Sequence, residues 1–520
     1  MEKLRRCANK FLWIGPLGIL FSLIFKYFHL QGTLLLLSTS CLVFFLGVAL
    51  KLEQSKHGLG LLLLFSWVLF YRSGQMPLRA EEPRRAVVSI EMMLNQDFVV
   101  PKIHGYPYLN KPPMFNWMQV LSFKIFRSFG PFAARFPGLI FLILTALMTV
   151  WFHKKYFGQI NYLVALIFLG TSDLLFYGAV NAGEIDLFYT FISAVQLFSL
   201  LIYSKQKGPF WFLLSFVFMT IGFLTKGFPS ILMQGISVGL IFLIRLKRQR
   251  PKWIHLFFGL LISLVILGGY FWLYGRKADA WVYLVNLVGE SQDKARHSAG
   301  GFVGVLALIF KNVLTFLKLC LPWIVVPIVW KVQKKPMKIN KDFIFFFWIL
   351  AANLFFYLVS GTLKERYLYP FLPLISLLFY LFYSQNGSTK WLQYFFLFII
   401  LARFVYNEAV LPLQAQGIEK DKIYDFAHQV TEETKGKPVF YGEIMTKDLT
   451  FLSYNKTIHT PTPIRYELIY QLSSTKKMPI LYKKVPEKGD YFLTFANKEE
   501  EGIVKYFDHW AQKELILKKF

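Results

Sequence analysis

The sequence predicts a polytopic α-helical membrane protein with about 13 transmembrane helices and a small C-terminal extracytoplasmic α/β domain. Three observations support this fold class. Apolar runs of 17 to 25 residues recur along the 520-residue chain, which is 55% hydrophobic and contains 56 Phe. Lys and Arg are concentrated in alternate segments between those runs, and the residues after 410 have mixed charge. Runs of this length match the hydrocarbon thickness of a bilayer and exclude a soluble multidomain enzyme.

The apolar runs define the predicted spans and domains. The spans are 11–29, 33–50, 58–72, 132–152, 160–178, 187–204, 209–225, 228–245, 253–275, 305–330, 342–360, 366–384 and 391–408. We expect an N-terminal two-helix extension (1–57), a transmembrane domain (58–408) with a long outer loop (73–131), and a C-terminal domain (409–520). The N-terminus, "MEKLRRCANK" before an apolar run, is typical of a retained signal anchor.

The distribution of charge predicts the orientation of these spans. The segments on one side contain 21 Lys and Arg against three acids, which makes that side cytoplasmic by the positive-inside rule. An odd number of spans then places the N-terminus in the cytoplasm and the C-terminal domain outside. The net charge of +28 is concentrated in the membrane region. It therefore indicates topology and contact with lipid phosphates rather than nucleic acid. The three cysteines suggest neither a disulfide framework nor a metal cluster.

The C-terminal domain has the pattern of a small α/β fold. The segments "KPVFYG" and "YFLTFAN" are typical of short buried strands. The segment "KDKIYDFAHQVTEETK" predicts an amphipathic helix with Ile423, Phe426, Ala427 and Val430 on its apolar face.

The stretch "LRAEEPRRAVVSIEMM" places two adjacent acids directly after an apolar span. Pro83 favours a helix start, so Glu81 and Glu82 are expected at a helix N-terminus, with Arg84 and Arg85 within reach of Glu81. An apolar face at helical spacing predicts that this helix lies along the membrane surface. Two interpretations are open: an interfacial helix with solvated charges, or a carboxylate site for a sugar or metal flanked by arginines for a phosphate.

Several further segments follow in a recognisable order. They are "NKPP" around Lys111, the aromatic "MFNW", "FAARFPG" at the entry to a span, "FLTKG" at 223–227 and "LKERYLYPFLP" at 363–373. Together with "EEPRRA" this order resembles the GT-C class of integral-membrane glycosyltransferases. It is most similar to the bacterial family of dolichyl-phosphate-mannose-protein mannosyltransferase-like enzymes, which includes the aminoarabinose transferase that modifies lipid A. The resemblance covers roughly residues 58–500.

The chain departs from the family pattern at three points. The first acid of the family is usually Asp, and here it is Glu81. Lipid A enzymes often carry a metal-associated Glu before the "KPP" lysine, where this chain has Asn110, which weakens both a metal assignment and a lipid A assignment. The two spans at 11–29 and 33–50 resemble an addition ahead of the first helix of the family.

The resemblance implies a glycosyltransferase at the inner (plasma) membrane. Such an enzyme moves a sugar, with inversion, from a polyprenyl-phosphate donor to an extracytoplasmic acceptor, which is lipid A, another glycan or a protein. The implied catalytic residues are Glu81, as general base, and Glu82. The implied donor phosphate-binding residues are Arg84, which also orients the acidic pair, Lys111, Lys364, Arg366 and Tyr367. Further candidates are Asp186, Glu184, Lys226 and His297. No cofactor is certain, and a divalent metal is left open.

Several of these candidates also have a purely structural explanation. Lys364, Arg366 and Tyr367 also fit side chains that snorkel to the interface, and Asp186 fits a solvated helix end. His297 is a lone histidine in an outer loop. For the whole chain, the alternative is a polytopic transporter or flippase of a lipid-linked or anionic substrate. The acids lie at one face rather than at mid-membrane, and no inverted repeat is visible. Both points favour the enzyme. A scaffold protein with a decayed site is the third possibility.

Overall fold

The structure is a computed structural model. It describes residues 57–206, 208–244, 253–295, 301–332, 338–361, 363–386, 390–419, 422–441, 465–483, 485–496, 502–508 and 513–520. The predicted N-terminal extension with its two spans, and His297, lie outside the described residues.

A bundle of helices makes up most of the described chain. The helices are α1 (His57–Phe70), α2 (Glu82–Leu94), α3 (Met114–Phe126), α4 (Pro131–Phe157), α5 (Leu163–Leu169), α6 (Asp186–Gln206), α7 (Pro209–Lys226), α8 (Pro229–Ile244), α9 (Trp253–Gly275), α10 (Ala280–Ala295), α11 (Gly301–Leu319), α12 (Val325–Val332), α13 (Lys341–Leu358), α14 (Leu372–Asn386), α15 (Lys390–Val405), α16 (Leu411–Glu419), α17 (Ile423–Thr434) and α18 (Tyr466–Lys476). A 3-10 turn (Glu365–Phe371) precedes α14, and π-helical turns occur at Leu174–Gly178 and Tyr406–Val410.

The described strands form a small hairpin and a five-stranded sheet. The strands are β1 (Lys102–Ile103), β2 (Tyr106–Pro107), β3 (Val439–Tyr441), β4 (Leu481–Tyr482), β5 (Tyr491–Phe495), β6 (Val504–Asp508) and β7 (Lys513–Lys519). Strands β1 and β2 pair antiparallel, whereas the sheet has the order β4-β3-β5-β7-β6. Strand β3 runs parallel to both β4 and β5, and β7 pairs antiparallel with β5 and β6. Helices α17 and α18 pack beside this sheet, in one core with α2 and α3.

Seven helices in the described part of the chain are long and apolar enough to cross a membrane. Two shorter apolar helices, Gly58–Phe70 and Pro229–Leu243, correspond to two further predicted spans. The chain is thus a multi-pass helical membrane protein. The last long helix runs from Trp391 to Gly417 and includes the π-helical turn at Tyr406–Val410, so its final turns extend into the range predicted for the C-terminal domain.

Two predicted spans are not single helices, which corrects the sequence analysis. Span 160–178 divides into α5 and a π-helical turn, because α5 ends at Gly170. A Cβ there would lie 2.7 Å from the Trp323 side chain, so the close packing requires glycine. Span 305–330 divides into α11 and α12 around Pro322, whose backbone has no N–H to donate to a continuous helix. Apolar composition predicted these segments as spans but did not predict where their helices break.

Helix α2 starts where the sequence predicts and is buried differently. Glu81 is its N-cap and Pro83 lies in its first turn. Every residue from Glu82 to Met92 is buried, including Ser89 and Glu91. Of the two open interpretations, the one in which this helix exposes its charges to solvent is therefore wrong. Helices α3 and α18 pack against α2, and α18 comes from the far end of the chain.

The last turn of α2 also fastens the hairpin to the C-terminal sheet. The Glu91 carboxylate accepts hydrogen bonds from the backbone N–H groups of His104 (2.6 Å) and Gly105 (3.1 Å). The His104 ring lies 3.3 Å from the Ile480 carbonyl oxygen, at Nδ1, and is fully buried between aromatic rings of the C-terminal part. Burial raises the pKa of Glu91 to about 7 and lowers the pKa of His104 to about 4. Residues 73–131 and the sheet thus share one packed core.

Candidate active site

A polar cavity lies at the end of the helix bundle where residues 73–131 pack against the C-terminal sheet, which we call the sheet end. Its volume is about 210 Å³. Six segments contribute to it: α2, the "NKPP" loop, the loop before α6, the end of α7, α10 and the start of the 3-10 turn. The charged residues that line it are Glu81, Arg84, Arg85, Lys111, Glu184, Asp186, Lys226, Glu290, Lys364 and Arg366, together with Ile185 and Tyr367.

The two adjacent acids of "EEPRRA" point to different places. Glu81 lines the polar cavity, and its side chain is 31% exposed. Glu82 is fully buried outside the lining and forms a bidentate ion pair with Arg135, at 2.8 and 2.7 Å. It also accepts hydrogen bonds from the backbone N–H groups of Gly183 (2.9 Å) and Arg79 (3.2 Å). Glu82 therefore holds the loops around the cavity and does not line it, whereas the resemblance implied a catalytic residue at this position.

Close packing fixes the loop that Glu82 holds. Gly138 of α4 faces the Ala182 carbonyl so closely that a Cβ would lie 1.9 Å from its oxygen. Arg135, one turn earlier, donates further hydrogen bonds to the backbone carbonyls of Ser73, Met76 and Pro77. The start of α4 thus clamps the segments before α2 and before α6. Both segments deliver acids to the cavity.

Glu81 sits among cations. Its carboxylate pairs with Arg84 in the next turn, as predicted from the spacing, and lies 3.9 Å from the Arg366 guanidinium. Its backbone N–H lies 3.4 Å from the Glu184 carboxylate. Arg85 was expected near Glu81, but its guanidinium donates to the Tyr108 hydroxyl at 2.6 Å. The cation paired with Glu81 is therefore Arg84, and the Arg366 guanidinium and the N-terminus of α2 add positive charge beside it.

Arg366 connects three acids. It hydrogen bonds to Glu184 and lies 3.9 Å from both Glu81 and Asp186. The Tyr177 hydroxyl donates to the other side of Glu184 at 3.2 Å. Burial raises the pKa of Glu184 to about 7, while the Arg366 guanidinium acts in the opposite direction. Arg366 is therefore buried and contacts three acids of the cavity.

Two lysines form ion pairs across the cavity. Lys226, at the end of α7, pairs with Asp186, and its ammonium lies 4.9 Å from the centre of the Tyr367 ring. Lys111 pairs with Glu290 of α10 and donates to the Asn110 carbonyl at 2.9 Å. Both lysine side chains are only about one-tenth exposed.

A second, apolar cavity of about 470 Å³ adjoins the first. The two share Lys111, Lys226, Glu290 and Tyr367. Beyond these four the apolar cavity is lined by Gly227, Phe228, Pro229, Ile231, Leu232, Leu287, Ser291, Phe356, Tyr357 and Ser360. Charged groups therefore lie at one end of an apolar groove, and Lys111 and Lys226 lie at the junction of the two cavities.

The structure brings nine of the eleven candidate residues together around the polar cavity. Only Glu82 points elsewhere, and His297 lies outside the described residues. Lys364 is exposed at the rim. Sequence reasoning missed Arg135 as the partner of Glu82 and Glu290 as the partner of Lys111. The "FAARFPG" segment was a signal for Arg135, because an arginine at the entry to an apolar span needs a buried partner.

The cavity does not fit a metal centre. Its acids are matched by Lys and Arg: Glu81 by Arg84, Glu184 by Arg366, Asp186 by Lys226 and Glu290 by Lys111. Among the described residues, no group of three His, Cys, Asp or Glu side chains is arranged to hold a metal ion. The chemistry considered below therefore uses only the side chains of this chain.

Known proteins share both sequence and fold with this chain. The family model for dolichyl-phosphate-mannose-protein mannosyltransferases matches residues 110–272. An undecaprenyl phosphate-alpha-4-amino-4-deoxy-L-arabinose arabinosyl transferase of Pectobacterium atrosepticum is 28% identical over 312 residues, which is 57% of this chain and 54% of that protein. The enzyme of the same name from Aeromonas salmonicida is 27% identical over 334 residues, or 60% and 58%. The chain thus spans little more than half the length of the curated relatives it matches.

The structural match is more extensive. The crystal structure of ArnT from Cupriavidus metallidurans bound to undecaprenyl phosphate has a TM-score of 0.66 at 15% identity, over 89% of this chain and 98% of that one. Its apo structure gives 0.64. These comparisons confirm the resemblance that the ordered motifs predicted: the chain is similar in sequence to the dolichyl-phosphate-mannose-protein mannosyltransferase family and has the polytopic helical GT-C fold.

Proposed function

We propose that this protein is a membrane glycosyltransferase that moves a sugar, with inversion, from a polyprenyl-phosphate donor to an acceptor outside the cytoplasm. The observation that carries the proposal is the junction of the two cavities. A polyprenyl-phosphate sugar has an apolar tail, an anionic phosphate and a polar sugar in that order. The apolar cavity, the paired lysines and the polar cavity follow in the same order. Known relatives are named for an undecaprenyl phosphate-linked donor.

The charges of the polar cavity suit a phosphate leaving group. Six cations and four acids line it, which leaves an excess of two positive charges. Lys111 and Lys226 belong to both cavities, so a phosphate at the end of the prenyl tail would meet them first. Arg366 lies deeper. As the bond between sugar and phosphate breaks, negative charge grows on the phosphate, and preplaced cations stabilise it more than they stabilise the intact donor.

Glu81 is proposed as the general base. It lines the polar cavity and does not line the apolar one, so it stands on the sugar side of the lysines. The Glu81 carboxylate, which pairs with Arg84, accepts the proton of an acceptor hydroxyl as that oxygen attacks the sugar carbon. Attack from the face opposite the phosphate gives inversion. One base and one set of cations suffice for this single displacement.

The finer architecture is part of the proposal. We infer about 13 spans, an inner-membrane location, a cytoplasmic N-terminus, a two-helix extension at 1–57, a transmembrane catalytic domain at 58–408 and an extracytoplasmic α/β domain at 409–520. The ends of α4 and α6 opposite the cavity support this orientation. There Lys154 and Lys155 are exposed, and the Lys205 ammonium lies 4.3 Å from the Tyr156 ring centre. Positive charge is thus concentrated opposite the sheet end, as expected for a cytoplasmic side.

A transfer assay tests the proposal. Full-length protein in liposomes receives undecaprenyl-phosphate-linked 4-amino-4-deoxyarabinose with a radiolabelled sugar, together with membrane lipid and glycan fractions as acceptors. We expect label to appear in an acceptor fraction and undecaprenyl phosphate to be released. Movement of unchanged donor between leaflets, with no release of undecaprenyl phosphate from this or other polyprenyl-phosphate sugars, would instead indicate a transporter. A Glu81→Gln variant serves as the inactive control.

A further inference from the structure

A basic pocket lies at the sheet end, away from both active-site cavities. It has a volume of about 580 Å³ and is formed where α3 and α18 end beside each other. Lys124, Arg127 and Lys477 line it together with hydroxyl side chains, and it shares no residue with the two active-site cavities. Among the described residues that line it, none is acidic. The pocket is therefore a separate anion-binding surface.

The three cations of the pocket are available to an anionic ligand. In the part of the chain that the structure describes, none of them forms a salt bridge; Lys124 lies over the Phe98 ring at 5.0 Å. Arg127 and Lys477 are the C-caps of α3 and α18. Each helix C-terminus carries about half a negative charge, so two helix ends offset roughly one of the three positive charges. An excess of about two positive charges remains for a ligand.

The wall of the pocket is held in place. The Tyr470 hydroxyl donates to the Phe129 carbonyl at 2.6 Å, and the Phe129 ring packs edge-on against Phe123 at 5.3 Å. The Ser128 side chain accepts a hydrogen bond from the Gly130 N–H at 3.0 Å. These contacts fix the loop between α3 and α4, so the pocket is a preformed feature.

The position of the pocket indicates a membrane lipid. The loop that forms it leads directly into α4, the long apolar helix that begins at Pro131. On the same helix as Lys124, the apolar side chains Leu121 and Ile125 are 53% and 61% exposed. A phosphate at the pocket and an acyl chain along these residues would satisfy both features. A free anion or an acidic protein would use the cations alone.

We propose that this pocket binds the phosphate-bearing headgroup of an anionic membrane lipid, at a second lipid site distinct from the donor site. Juxtamembrane cations each contribute about fivefold to the binding of anionic lipid. Removal of all three should therefore weaken binding about a hundredfold. This inference does not depend on glycosyl transfer, because its readout is lipid binding.

The test uses full-length protein in neutral detergent, titrated with phosphatidylglycerol and followed by native mass spectrometry. The test variant is Lys124→Gln with Arg127→Asn and Lys477→Asn. Asn suits the positive φ angles of the two caps, 49° and 53°, so the helix ends are preserved. The control is Lys435→Asn with Lys437→Gln and Lys488→Gln, which removes three exposed cations of the C-terminal part, one of them also a cap with positive φ.

We expect tight phosphatidylglycerol binding by the wild type and by the control, weaker binding of phosphatidylcholine, and a loss of about a hundredfold in the test variant. Equal phosphatidylglycerol affinity in the test variant and the wild type would overturn the proposal. Displacement of the lipid by inorganic phosphate at the same concentration would also overturn it, because the ligand would then be a free anion. Lys124→Gln alone, at an exposed position that caps no helix, should weaken binding about fivefold; unchanged affinity there would count equally against the site.

Discussion

Conversion of Glu81 and Glu82 to Gln, one at a time, should separate catalysis from stability. Glu82→Gln keeps the shape of the side chain and removes the charge opposite Arg135, which is 1% exposed. Breaking a buried ion pair in this way costs about 3–5 kcal/mol. Glu81 is partly exposed, and its pair with Arg84 contributes at most about 1 kcal/mol to stability. We therefore expect a large loss of stability from Glu82→Gln and a small one from Glu81→Gln.

The effect on transfer should be the reverse. A general base accelerates proton transfer by about 10²–10⁴-fold, which is roughly 3–5 kcal/mol of activation free energy. Glu81→Gln cannot accept a proton, so its turnover on a hydroxyl acceptor should fall by that factor. Glu82→Gln should retain most of its turnover per folded molecule. On a phosphate acceptor, which is already ionised, Glu81→Gln should lose much less.

Two measurements check this division. Thermal unfolding of the purified proteins reports stability, and the radiolabel assay, normalised to folded protein, reports turnover. Wild-type turnover of Glu81→Gln on a hydroxyl acceptor would refute the role of Glu81. An unfolding temperature of Glu82→Gln equal to that of Glu81→Gln would refute the structural role of the buried ion pair.

Three further predictions use residues outside this pair. Lys111→Ala should lower the rate of donor use about tenfold or more, because a charged hydrogen bond to phosphate is worth about 1.5–3 kcal/mol. A Glu290→Gln control, which keeps the lysine, should lose less of this rate. Wild-type kinetics of the Lys111→Ala variant would exclude Lys111 from the donor site. The depressed pKa of His104 should contribute a loss of roughly 3 kcal/mol of stability as pH falls from 6.5 to 4, because the unfolded chain binds the proton first, whereas the raised pKa of Glu91 contributes in the opposite direction. In thermal unfolding the wild type should therefore lose roughly 3 kcal/mol more stability over this range than His104→Asn, and equal slopes would contradict this. In a cysteine-free background, a membrane-impermeant thiol reagent added outside should label Lys435→Cys and spare Lys155→Cys, and the opposite pattern would invert the topology.

Local signals in the sequence predicted the start of α2 and the pairing of Glu81 with Arg84. A proline in the first turn and a spacing of three residues are properties of the immediate chain. The burial of α2 on all sides was beyond such reasoning, because α18, which covers it, lies more than 370 residues further along the chain. The same limit applies to Glu82, whose partner Arg135 is 53 residues away. Sequence indicated which residues are unusual, and tertiary packing decided which of the two acids faces the cavity.

The breaks in two spans show a different limit. Hydropathy averages over a window, so a run that contains Gly170 or Pro322 still scores as one apolar segment. Gly170 and Pro322 can be read from the sequence, but their effect on the helix depends on the residues that pack against them. Trp323 leaves no room for a side chain at 170, and this contact joins two distant parts of the chain. Likewise, Asp186 and Lys226 were each predicted as isolated candidates, whereas the fold makes them an ion pair.

The proposed role of Glu81 as the base accounts for the adjacency of Glu81 and Glu82. Glu81 lies at the N-terminus of α2 with its side chain in the cavity. The next residue anchors the backbone there, because Glu82 is fixed by Arg135 and by the Gly183 N–H. One backbone step at the start of α2 then sends one carboxylate into the protein and the other into the cavity. A single acid could not be both firmly anchored by buried partners and accessible to an acceptor. Two neighbouring acids allow the first property at Glu82 and the second at Glu81.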